Sequence, residues 1–166
     1  MTAHRSVTAL ALSLAIVLSP VAAGAQARSK SSSNDADQKE LFDYALSMDK
    51  IQKLGGVLKK FDEMSAQHPE LRSGDSGGSI SETTAKIQKY PEAVGVLTRN
   101  GLTPREYVVG SMTLIQAGMA VGFKRAGTYK EYPPEMLQIV SRPNLTFVEQ
   151  HFDEITKIVP ALSAMQ

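Results

Sequence analysis

Asn100-Gly101-Leu102-Thr103-Pro104-Arg105-Glu106-Tyr107 is the stretch on which the fold turns. Asn-Gly closes a preceding helix in the left-handed conformation, and Leu102 is placed for the hydrophobic contact that accompanies such an ending. Thr103 then caps a new helix, with Pro104 at its first position and Glu106 at its third. Leu102 and Tyr107 stand in staple positions across the start. The helix so begun should run to Ala126, about 34 Å at 1.5 Å per residue, with Lys124 and Arg125 at its negative end and Gly127 closing it. One face carries Val108, Met112, Ile115 and Met119, and a second carries Tyr107, Leu114 and Val121. A helix apolar nearly all round belongs at the centre of a fold.

Weaker helices read outward from it. Upstream, Ser47 caps a helix with Asp49 in its first turn, and Ile51, Leu54, Leu58 and Phe61 share one face until Gln67-His68-Pro69 stops it. The Gly55-Gly56 pair inside it costs about 1 kcal/mol per Gly relative to Ala, which points to a closely approaching neighbour. Whether residues 41–46 join this helix is left open by their pattern. Ser79 and Glu82 have capping-box spacing and start a helix that Pro91 interrupts, and a short helix with Val94 and Leu97 follows. Downstream, residues 127–142 form an irregular loop with Tyr129, Tyr132, Pro133 and Pro134, and a short helical turn near Met136–Val140. The last helix begins near Asn144 and carries Val148, Phe152, Ile155, Val159 and Leu162 at alternating spacings of four and three, with Pro160 bending or ending it. No run alternates like a strand. The expected class is all-α, a single-domain bundle of about five helices with a long buried helix near residues 104–126.

The segment Asn100 to Gly110, with the small-residue helix after it, resembles a group of small exported helical bacterial proteins. The Ser47-Met48-Asp49-Lys50-Ile51 start is similar to the same group. The resemblance implies export and a helical fold. It carries over no catalytic or ligand-binding residue, because no activity is known for that group.

The chain's 166 residues suffice for one domain, and 42% hydrophobic with 21% charged residues is an ordinary globular balance. Residues 1–25 read as a signal peptide: His4 and Arg5, an apolar run from Val7 to Leu18, Pro20, and the small-residue site Ala23-Gly24-Ala25. Cleavage is expected before Gln26, with Ala25-Gln26-Ala27 as a second site. The apolar run is shorter than the ~20 residues of a spanning helix, which disfavours an uncleaved anchor. Residues 26–37 hold no large apolar side chain and read as a flexible leader, leaving 38–166 as the helical domain. The expected location is exported, periplasmic or secreted.

Of 18 Lys plus Arg and 17 Asp plus Glu, only Arg5 leaves with the signal peptide, so the mature chain is formally neutral. That balance gives no footprint for nucleic acid and no polybasic membrane patch. The absence of Cys removes disulfides, thiolate catalysis and Cys-ligated metal.

Three motifs invite chemistry. Gly74-Asp75-Ser76-Gly77-Gly78 spells the segment around the nucleophile of chymotrypsin-like serine proteases, but the chain is too short and too helical for two β-barrels. Gly110, Ser111, Gly118 and Gly122 would form a dimer seam in a membrane, yet Ser111, Thr113 and Gln116 interrupt the apolar run, so a buried helix is expected and membrane spanning after signal cleavage is not. His151 lies beside the apolar stripe of the last helix, near Glu149, Asp153 and Glu154, which do not converge on one side. The expectation is therefore no enzyme, no metal and no cofactor. The protein reads as a non-enzymatic binder of a partner protein or a small apolar ligand, with Tyr129, Tyr132 and His151 as contact residues. The alternative is a periplasmic haem or metal carrier using His151. In its haem form the ligand pair would be Met48 and His151, as in four-helix b-type cytochromes.

Overall fold

A computed structural model of the chain describes residues 35–66, 68 and 78–165. Residues 1–25, read from sequence as a signal peptide, residues 26–34 of the expected leader and the Gly74–Gly77 part of the protease-like motif lie outside the described residues. Helix α1 covers residues 35–43 and is followed by α2 (Met48–Ser65), α3 (Ile80–Gln88) and α4 (Pro91–Arg99). Then come α5 (Pro104–Arg125), the short α6 (Met136–Ile139), α7 (Arg142–Ile158) and a 3-10 helix (Pro160–Met165). No strand occurs among the described residues. The all-α expectation holds, but the described residues hold seven α-helices and a 3-10 helix rather than about five.

The difference lies in elements that local pattern does not announce. In α1, Leu41 is a buried large apolar side chain, and the helix is held in place by polar bonds to distant residues. The Asp37 carboxylate accepts from Ile80 N at 2.8 Å, Gln38 donates to the Ile139 carbonyl at 3.0 Å, and Arg105 Nε donates to Glu40 at 2.9 Å. Residues 35–37, read from sequence as the end of a flexible leader, are therefore helical and anchored. Residues 44–47 are non-helical and separate α1 from α2, which settles the question left at 41–46.

Asn144 holds that connecting piece. Its side-chain oxygen accepts from Leu46 N at 2.9 Å and its amide donates to the Tyr44 carbonyl at 2.7 Å. Asn144 is thus a buried tie in the first turn of α7, near whose start the sequence placed it. The helix begins two residues earlier, with Ser141 at the cap position and Pro143 in the first turn.

Where the sequence carries punctuation, the structure follows it. Ser47 caps α2, and Ser79 and Glu82 form the expected reciprocal box on α3. Gly101 adopts φ +69°, and Leu102 N bonds back to the Leu97 carbonyl at 3.0 Å. At α5 the Thr103 hydroxyl accepts from Glu106 N at 3.2 Å while the Glu106 carboxylate accepts from Thr103 N at 2.9 Å. Gly127, at φ +78°, closes the far end.

The Thr103 backbone and hydroxyl bonds hold the Glu106 carboxyl below the usual carboxylate range. A depressed carboxylate contributes stability above its unfolded value of about 4.3, and this is lost as pH falls through the lowered value. Glu106→Gln should therefore flatten the acid limb of a Tm-against-pH profile, and an unchanged limb would exclude the box as its source.

Twelve of the 22 residues of α5 are buried, among them Tyr107, Val109, Leu114 and Val121. The expected face of Val108, Met112, Ile115 and Met119 is buried only at Val108. Met112 and Ile115 are half-buried, and Met119 and Phe123 are 36% and 37% exposed, because the neighbouring helices pack on the other sides of α5. No helix among the described residues is long and apolar enough to cross a membrane.

The small residues serve close packing. A Cβ at Gly55 would lie 2.3 Å from Ile158 Cγ2 and 3.1 Å from the Ile158 carbonyl oxygen, so α2 meets the end of α7 without a side chain between them. At Gly118 the intruder is the Leu162 side chain, whose Cδ2 would stand 2.8 Å from an added Cβ. The Gly-Ser stripe of α5 thus receives a side chain from the 3-10 helix. Pro160 opens that helix after α7 has ended, as its missing N–H requires.

Candidate functional site

The carboxyl end of α5 is clasped to α7 by two ion pairs, Lys124–Glu149 at 2.5 Å and Arg125–Asp153 at 2.9 Å, with the Arg125 guanidinium 4.7 Å from the Phe152 ring centre. Those acids are therefore spent on helix pairing. Beside the clasp, the 127–142 loop folds its two tyrosines together, ring centres 6.3 Å apart. The Tyr129 hydroxyl donates to the Ala120 carbonyl at 3.0 Å, and Lys124 sits 4.6 Å over the Tyr132 ring. The Tyr132 hydroxyl is buried beside the Glu149 carboxylate. Burial, and then the charge of nearby Glu149, push its pKa far up, so it stays protonated. Tyr132 lines a cleft of about 440 Å³ with Lys124, Glu131, Arg142, Thr146 and Glu149, a charged surround unsuited to an apolar molecule.

Tyr129 and Tyr132 meet, as their proximity in the loop suggested, but His151 does not join them. It follows Glu149 by two residues, about 200° around the helix. Its ring packs on Phe147 at 4.9 Å, and its Nδ1 is 3.8 Å from a Glu154 oxygen. Met48, the other residue of the haem pairing, is half-buried and packs against the core. Among the described residues no group of three or more His, Asp or Glu side chains is disposed to hold a metal ion.

A second groove has the opposite character. It lies between the later half of α2 and the end of α7, encloses about 690 Å³, and its apolar wall is Leu58, Phe61, Ile158, Val159, Pro160 and Ala161. That volume falls within the roughly 300–1,000 Å³ of small-molecule sites. Gly55 lies at its floor, where α2 touches Ile158. Lys59, Asp62 and Lys157 stand on the rim.

Sequence reading missed this groove although it placed Leu58 and Phe61 on the correct face of α2. Pro160, by ending α7 and turning the chain into the 3-10 helix, leaves Leu58 only half covered. Ile158, an apolar residue off the α7 stripe, was the available signal.

No family model, no curated protein and no solved structure matches this chain.

Proposed function

We propose that this is an exported, non-enzymatic helical protein that binds a small apolar ligand in the groove between α2 and the end of α7. One observation carries the reading: an apolar-walled groove of ligand size that the rest of the described chain leaves open. Export rests on the signal-like residues 1–25 and on the resemblance of the Asn100–Gly110 segment. A contact role for Tyr129 and Tyr132 is less well supported, since one hydroxyl is turned to Ala120 and the other ring lies under Lys124.

Nile red, a neutral apolar dye, tests the reading on the full chain recovered after export. Its emission should rise and shift to the blue with the wild type. Ala161→Trp, at an exposed groove position, should fill the space and suppress the signal while leaving the thermal transition in place. Equal dye signal in both proteins would remove the groove as the site. A visible absorption band in the same preparation, lost in His151→Ala, would favour the haem or metal carrier instead.

A further inference from the structure

The rim of the α2–α7 groove carries a charge arrangement that helix chemistry explains only in part. Lys157 lies in the last turn of α7, where a cation complements the carbonyl end of the helix. Lys59 has no such role, because α2 continues to Ser65 and carries no basic residue in its last turn. The two lysines come from different helices and line one groove, which Asp62 lines as well, and the charge of Lys59 is also felt by Glu63 one turn further along α2. Two like charges beside one apolar cleft disfavour each other when the cleft is empty, and an anion between them relieves the repulsion.

We propose that the groove takes an anionic single-chain amphiphile, a fatty carboxylate, with its tail against Leu58, Phe61 and Pro160 and its headgroup between Lys59 and Lys157. The assignment rests on the apolar-ligand reading above and adds the chemistry of the head. Asp62 and the carbonyl ends of the two helices set a limit on the preference, since each contributes negative charge nearby. One carboxylate is thus favoured over a more highly charged head.

Calorimetric titration of the full chain with dodecanoate and with dodecanol separates head from tail. Dodecanoate should bind about tenfold more tightly than the alcohol, as two partly solvated ion pairs allow, and added salt should narrow the gap. The double variant Lys59→Glu, Lys157→Glu changes only exposed side chains and should lose that advantage while still binding dodecanol. Equal affinities for the two ligands, or a double variant that keeps the preference, would overturn the headgroup assignment and leave the apolar site standing. Dodecanoate binding that survives Ala161→Trp would overturn the location. If neither ligand nor Nile red binds, both readings fall together.

Discussion

Asn144→Leu should lower the unfolding free energy by about 2–4 kcal/mol, although the replacement is apolar, similar in size and buried. The loss comes from the groups left behind. Leu46 N and the Tyr44 carbonyl belong to a non-helical link between α1 and α2, and the Asn144 amide supplies one bond to each. An unpaired buried donor or acceptor costs about 1–3 kcal/mol, so the segment should prefer to lift toward water. Two measurements separate the outcomes. A urea titration gives the stability, and amide exchange at Leu46 tells whether the segment opens alone. A change below about 0.5 kcal/mol with Leu46 still protected would mean that residues 44–47 are held by packing instead.

Leu162→Ala should be at least as damaging, at about 2–5 kcal/mol, the range for truncating a fully buried Leu. Leu162 is 1% exposed and reaches α5 at Gly118. The contact predicts a reversal of sign. In the wild type, Gly118→Ala puts a Cβ 2.8 Å from Leu162 Cδ2 and should cost about 1–3 kcal/mol by overpacking. In the Leu162→Ala background that obstacle is gone, and Ala at 118 should recover up to about 1 kcal/mol through helix propensity. The double-mutant cycle therefore has a coupling energy well above additivity error. Additive effects would show that the 3-10 helix does not pack into the Gly118 notch.

What could be read in advance tracks the range over which each signal acts. Caps, capping boxes and closing glycines involve residues within four positions of one another, so Ser47, Ser79, Thr103, Gly101 and Gly127 all fell where the sequence put them. The amphipathic stripe of α7 was equally legible, since 3.6-residue periodicity is local. The tie made by Asn144 was not legible because its partners lie about a hundred residues away in sequence. Residues 35–37 were read as leader because they hold no large apolar side chain, and the partners of Asp37, the Ile80 amide and the charge of Arg105, are brought close by the fold. The groove between α2 and α7 was invisible because an apolar face in a sequence does not reveal how completely its neighbours cover it.

The docking of residues 35–47 also constrains the order in which the molecule can be completed. Whether the polypeptide leaves a ribosome or a translocation channel, its amino end emerges first. Yet residues 38–46, which emerge early, are latched by Arg105, Thr113, Ile139 and Asn144, all supplied much later. The opening segment must wait, extended and accessible, until most of the chain has followed. Closing so long a loop is entropically costly and slows the final step. A nascent chain stalled before α7 would therefore offer residues 35–47 to proteases that the finished molecule denies them, a difference a pulse of protease during synthesis would register.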